Sequence, residues 1–85
     1  MNESDVRRLL QDALDVVAPG TEVATVPNDV DLRRALDLDS LDFLNLIVEI
    51  DNRVGIHTAE ADYPRLTTVA TAAAYLPERT SVKGS

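Results

Sequence analysis

The stretch from Ser40 to Val54 constrains this chain more than any other. Phe43, Leu46, Ile47, Ile50 and Val54 recur at i, i+3, i+4, i+7 and i+11. That spacing marks one face of an α-helix and does not fit a strand. Leu41, Leu44 and Val48 form a second apolar set at i, i+3 and i+7. At about 100° per residue its centre lies roughly 130° round the helix from the first. A chain of 85 residues has one small core, which leaves little room to bury both faces of a single helix. The second face is therefore either a contact surface for another molecule or the floor beneath a loop that folds over it.

Signals at the ends of this segment agree with a helix. Asp39 is a suitable N-cap, Asp42 in the first turn complements the positive helix end, and Gly55 accepts the left-handed conformation of a C′ residue. Glu49 and Arg53 sit at i and i+4, where opposite charges give minor support. A second stripe, Val6, Leu9, Leu10, Ala13, Leu14 and Val17, has Ser4 as candidate cap and Pro19-Gly20 as a stop. It predicts a helix from about residue 4 to about residue 18. Val69, Ala72, Ala73 and Leu76 predict a last helix that starts after Thr67 or Thr68 and ends at Pro77.

Between Pro19 and Asp39 no long periodic segment occurs. Roughly twenty residues of plain loop are unusual in a compact domain, and the spacing of Leu32, Ala35 and Leu36 places a short helical turn there. A further short helix is expected from Thr58 to Tyr63, closed by Pro64. Apart from Phe43, Tyr63 and Tyr75 the apolar residues are mainly Leu, Val, Ile and Ala, a mix that suits helices better than sheets. There is no internal repeat. The expectation is an all-α bundle of three main helices plus one short helix, with a long first loop. One domain spans residues 1–77, and 78–85 form a flexible tail.

Composition removes several function classes. Fifteen acidic against eight basic residues give a net charge of −7, which repels phosphate backbones and disfavours nucleic acid. The same charge steers towards partners with basic patches, or simply keeps a small protein soluble. Without cysteine, disulfide scaffolds and thiolate metal sites are excluded. No apolar run reaches membrane-span length, and Met1-Asn2-Glu3-Ser4-Asp5 lacks the basic start and apolar stretch of a signal peptide. A cytoplasmic protein without membrane insertion is expected.

Catalysis finds little support. The single histidine, His57, lies about 25 Å from Ser40 if both flank one continuous helix, too far for a nucleophile–base pair. Asp37, Asp39 and Asp42 resemble the start of a calcium loop. A loop opening at Asp37 would need an oxygen ligand, a glycine and a glutamate where Leu41, Asp42 and Val48 stand. No dedicated metal site follows. The glycines are scattered, so there is no glycine-rich phosphate loop. What remains is Asp39-Ser40-Leu41 at a helix start. Ser40 would lie exposed in the first turn, where a phosphodiester meets the positive helix end, while Asp39 and Asp42 oppose it by like-charge repulsion. Taken alone, the tripeptide reads as an ordinary helix start.

In context, Leu36-Asp37-Leu38-Asp39-Ser40-Leu41-Asp42 resembles the attachment motif of acyl carrier proteins, Leu-Gly-x-Asp-Ser-Leu. The resemblance continues through Phe43–Ile50 into Val54-Gly55-Ile56, and resumes at Leu66–Val69 and Ala73–Leu76. It implies that Ser40 receives 4′-phosphopantetheine from coenzyme A through a separate, Mg²⁺-dependent phosphopantetheinyl transferase. Asp39 would help that enzyme's metal site, and the arm's thiol would carry acyl groups as thioesters. Leu41, Leu44 and Val48, with Asp42 and Asp51, match the family's partner-facing positions. Phe43, Leu46, Ile47 and Ile50 match an inner face that borders an acyl pocket in many members. The partners implied are the transferase and acyl ligases, synthases or acyltransferases with basic patches; the chain itself is no enzyme and is expected to be a monomer. Asp37 replaces the family's glycine, and Asn45 and Asn52 replace glutamates common in fatty-acid carriers. The change at Asp37 implies a different loop geometry there, and the thinner charge at Asn45 and Asn52 favours a specialised lipid or secondary-metabolite pathway. An aminoacyl or peptidyl carrier and an unmodified helical adaptor are the alternatives.

Overall fold

The computed structural model describes residues 2–81, the side chain of Ser81 excepted. Its elements are α1 (Glu3–Val17), α2 (Leu32–Ala35), α3 (Ser40–Val54), a 3₁₀ segment (Glu60–Leu66) and α4 (Val69–Ser81). The all-helical expectation holds, and α3 has the bounds read from the sequence. The short turn around Leu32 is α2.

Three local expectations need correction. The cap of α1 is Asn2 rather than Ser4: its side chain accepts the Asp5 N–H at 2.8 Å, and Asp5 accepts the Asn2 N–H at 3.3 Å. Asparagine caps as well as serine. Asp5 also supplies the reciprocal acceptor that Arg7, three residues after Ser4, cannot. The short helix after α3 starts at Glu60 rather than Thr58 and includes Pro64, because proline's fixed φ suits a 3₁₀ turn.

The third correction concerns Pro77, which lies inside α4 instead of ending it. Proline removes one backbone bond, but side chains fasten the turn beyond it. Thr80 Oγ1 donates to the Leu76 carbonyl at 3.0 Å, and Arg79 donates to the Tyr75 hydroxyl at 2.7 Å and the His57 carbonyl at 3.2 Å. Arg65 and Arg79 also flank the Tyr75 ring, at 4.9 Å and 5.8 Å from its centre. Residues 78–81 of the expected tail are thus helical; 82–85 lie outside the described residues.

Helix α1 packs against α3 and α4, and the 3₁₀ segment packs against α4. The core takes Val6, Leu10, Ala13 and Leu14 from α1, Phe43, Leu46, Ile47 and Ile50 from α3, and Val69, Ala72, Tyr75 and Leu76 from α4. These are the helical stripes legible in the sequence, turned inward, except that Tyr75 joins the core while Leu9, Val17, Val54 and Ala73 are only half-buried.

The long first loop does not fold over the second apolar face of α3. It lies against α1, and polar side chains fix it there. Arg7 donates to the Val23 and Val26 carbonyls, each at 2.7 Å, and to the Asn28 side chain. Gln11 donates to the Thr21 carbonyl and accepts from the Val23 N–H, both at 2.9 Å. Val23, Val26 and Leu32 then drop into the core. The far end of the loop is tied to α4: Leu32 N–H donates to the Thr67 carbonyl at 2.7 Å, and Ala70 N–H to the Asn28 carbonyl at 2.9 Å. Backbone groups that a loop would otherwise leave unpaired are satisfied in this way.

Candidate functional site

Helix α3 begins at Ser40 because Asp39 and Asp42 form a reciprocal cap. Asp39 Oδ1 accepts the Asp42 N–H at 2.7 Å, and Asp42 Oδ2 accepts the Asp39 N–H at 3.4 Å. This box satisfies two of the donors at the helix start. The N–H groups of Ser40 and Leu41 have no acceptor within the helix and stay available on the same turn as the exposed Ser40 side chain. The macrodipole adds positive potential there, while the two carboxylates of the cap offset part of it.

The approach to Ser40 is set by Asp37. It has φ +56°, and it is the one non-glycine residue at positive φ among those described. Asp37 follows the C-cap of α2, and the carbonyls of that helix are closed by Leu38 N–H to Arg33 O at 2.8 Å and Asp37 N–H to Arg34 O at 3.4 Å. This pair of bonds is a Schellman closure, which needs a left-handed residue at Asp37. Glycine adopts that conformation freely; aspartate is among the few other residues that tolerate it. The loop geometry associated with glycine is therefore kept, at some cost in strain.

Beyond Ser40, α3 presents Leu41, Leu44 and Val48 to solvent at 64%, 41% and 49% exposure. Asp42 and Asp51 are half-buried beside this stripe. Asp51 also acts inside the fold, where its carboxylate accepts the Thr58 N–H at 2.9 Å and the Thr58 hydroxyl at 2.7 Å. Thr58 is the only buried polar residue among those described, so this pair pins the segment after Gly55 to the helix. Gly55 itself has φ +75° and turns the chain out of α3.

Phe43, Leu46, Ile47 and Ile50 lie on the opposite face at 7%, 0%, 1% and 0% exposure. A shallow groove elsewhere is bordered by Gln11, Asp15, Gly20, Thr21, Glu22 and Ala24, and none of the expected site residues lines it. Among the described residues no three His, Asp or Glu side chains converge on a metal position, and no helix is long and apolar enough to cross a membrane.

Sequence reasoning missed Arg33. Its guanidinium lies over the Phe43 ring, 5.2 Å from the centre, and pairs with Asp31 at 2.7 Å. The hydrogen bonds from Arg33 hold the Asp31 carboxyl below its ordinary value of 3.8, against a smaller opposing effect of burial. The Asp31 pair is local to the start of α2, whereas the Phe43 contact has no sequence signal because it depends on how α2 meets α3.

Comparison with known proteins joins these observations to a family. Residues 4–76 match the family model described as phosphopantetheine attachment site. The chain is 32% identical over 69 residues to polyketide-8 synthase acyl carrier protein 2 of Streptomyces avermitilis, covering 81% of this chain and 74% of that protein. It is 37% identical over 78 residues to an acyl carrier protein of Streptomyces coelicolor, covering 88% and 85% of the two. Such proteins bear 4′-phosphopantetheine covalently and are substrates of phosphopantetheinyl transferase and synthase enzymes rather than catalysts. With an Asp-Ser-Leu start to a capped helix and a match across nearly the whole bundle, the chain belongs to the acyl carrier protein family.

Proposed function

We propose that Ser40 is the residue to which 4′-phosphopantetheine is attached. The observation that carries this reading is the placement of Ser40: exposed, in the first turn of α3, with the cap closing around it through Asp39 and Asp42 and leaving its hydroxyl outside. Attachment requires the Ser40 oxygen to displace an adenine nucleotide at the diphosphate of coenzyme A, losing its proton to a base of the transferase. The resulting phosphodiester would lie beside the free N–H groups of Ser40 and Leu41. Asp39, exposed on the other side of the cap, is available to the Mg²⁺ that the transferase uses. The arm, when present, supplies a thiol that holds acyl groups as thioesters, chemistry a cysteine-free chain lacks.

The exposed stripe Leu41, Leu44 and Val48 is proposed as the docking face, with Asp42 and the outer edge of Asp51 adding negative charge for partners with basic patches. Apolar side chains at this exposure contribute little to folding, so contact with partners is the better account of them. Phe43, Leu46, Ile47 and Ile50 are the candidate lining for an acyl chain, which would have to part α3 from its neighbours to enter. Because one relative is named a polyketide synthase carrier, and Asn45 and Asn52 thin the charge on α3, the cargo is proposed to be an acyl intermediate of secondary metabolism.

Intact-mass measurement after incubation with coenzyme A, Mg²⁺ and a broad-specificity phosphopantetheinyl transferase tests the attachment. One added phosphopantetheine on the wild-type chain and none on Ser40→Ala is the expected result. Addition to the variant, or none to a folded wild-type protein, overturns it.

A further inference from the structure

We propose that Arg33 is a positioning residue for Ser40: its carbonyl ties α2 to Leu38 of the linker and its guanidinium ties α2 to Phe43 of α3, which closes the segment that presents the serine into a ring. The inference rests on the reading of Ser40 as the attachment residue.

The backbone end of Arg33 accepts the Leu38 N–H at 2.8 Å. Its side-chain end lies over Phe43, one turn into α3, with the guanidinium 5.2 Å from the ring centre. Ser40 lies between these two anchor points in the chain. Asp31 fixes the guanidinium in place by accepting from Nε at 3.1 Å and from Nη2 at 2.7 Å, a two-pronged contact that a lysine cannot reproduce. Asp31 also caps α2 by accepting the Arg33 N–H at 2.9 Å.

This hold matters because α2 has few other ties, chiefly the buried Leu32 side chain and the Leu32 N–H bond to the Thr67 carbonyl. The extensive helix packing is α1 on α3, α1 on α4 and the 3₁₀ segment on α4; α2 makes no contact of comparable extent. A helix of one turn is not stable by itself, and the Schellman closure after it contains the strained Asp37. Such a segment opens locally at little cost. Each opening takes Asp39 and Ser40 away from the arrangement an enzyme would meet. Arg33 lowers the population of these openings without touching the substrate. If a transferase binds the closed form, the effect falls on its apparent affinity for the carrier, which scales with the fraction closed, and not on the chemical step.

The test uses the full chain and three variants, Arg33→Ala, Arg33→Lys and Asp31→Asn. Asp31→Asn keeps the helix cap, since asparagine caps as well as aspartate, but removes the ion pair and leaves at most a neutral hydrogen bond to Arg33. Two quantities are read: amide hydrogen exchange at Leu38, against the buried α3 residues Leu46 and Ile50, and KM and kcat of a phosphopantetheinyl transferase acting with coenzyme A and Mg²⁺. For Arg33→Ala, Leu38 is expected to exchange about fivefold faster, the scale of losing an exposed cation–π contact with an exposed ion pair, while KM rises only in proportion to the closed fraction lost, by at most the same factor. Leu46 and Ile50 exchange and kcat stay unchanged. Arg33→Lys and Asp31→Asn fall between wild type and alanine. Equal exchange at Leu38 in wild type and Arg33→Ala overturns the proposal, as does a fall in kcat with KM unchanged. Exchange needs no loading, so a wild-type chain that takes no pantetheine overturns attachment at Ser40 while Leu38 still reports on the hold.

Discussion

Replacing Arg7 with leucine removes the donor that three acceptors of the first loop share: the Val23 carbonyl and the Val26 carbonyl, both at 2.7 Å, and the side chain of Asn28. A bond with a charged donor is worth about 1.5–3 kcal/mol when its loss leaves the partner unpaired. The three bonds come from one guanidinium and are not additive. The loop can also shift and hydrate some of the freed carbonyls. Together these arguments place the loss at about 2–4 kcal/mol. That is a large share of the roughly 4–13 kcal/mol expected for a domain of this length. Urea unfolding followed by circular dichroism reads the change as a lower midpoint. In a thermal scan each kcal/mol corresponds to about 4–8 °C. Arg7→Lys should recover only a minor part, because one ammonium cannot span both carbonyls. Gln11→Leu should cost less, since its two bonds to the loop are neutral. A thermal midpoint for Arg7→Leu within about 3 °C of wild type would refute the view that α1 fastens the loop through this side chain.

At Asp37, glycine relieves left-handed strain and should raise stability by about 0.5–1 kcal/mol, whereas valine, which tolerates that region poorly, should lower it by at least 1 kcal/mol or so; urea midpoints of the two variants moving the same way would contradict this. Thr58→Val deletes the 2.7 Å hydroxyl bond to Asp51 and should destabilise by about 1–2 kcal/mol, with faster amide exchange around Gly55 as a second sign. Leu44→Gln should alter stability by less than about 0.5 kcal/mol yet reduce transferase kcat/KM by about fivefold or more if the stripe docks partners. The folded pKa of Asp31 lies below 3.8, so its carboxylate is harder to protonate in the folded chain than in the unfolded one. Its contribution is complete above that value and is lost as pH falls through the lower folded value. The stability gap between wild type and Asp31→Asn should therefore narrow between about pH 5 and about pH 3. Because both partners are largely exposed, the gap is small at any pH.

Much of the functional end of the molecule depends on near neighbours in the chain, and this is why it could be read from sequence. The start of α3 is decided by Asp39 and Asp42, three residues apart, and its end by Gly55; caps act within one turn and need no tertiary context. The two apolar faces follow from periodicity alone, although whether the second one stays outside does not. The reciprocal cap at Asn2 was equally local, since Asp5 three residues on marks it, but Ser4 carries the same cap preference and the competing partner at Arg7 decides between them.

What the tertiary structure decided are contacts between residues far apart in the chain. Sequence left open whether the first loop covers the Leu41–Leu44–Val48 stripe; Arg7 and Gln11 settle that by drawing the loop onto α1, through bonds that span 10 to 21 residues. Pro77 carries a stop signal, which the bonds of Arg79 to Tyr75 and His57 override. Asp51 reads as a surface charge until Thr58 is found against it, and Arg33 reads as a solvated cation until α2 brings it over Phe43. The left-handed turn at Asp37 exists because α2 must end there for Leu38 to reach the core. Local rules chose where each helix begins and which face is greasy. Packing chose which polar side chains would hold the irregular segments, because a hydrogen bond across the fold depends on where both partners are placed and no periodicity encodes that.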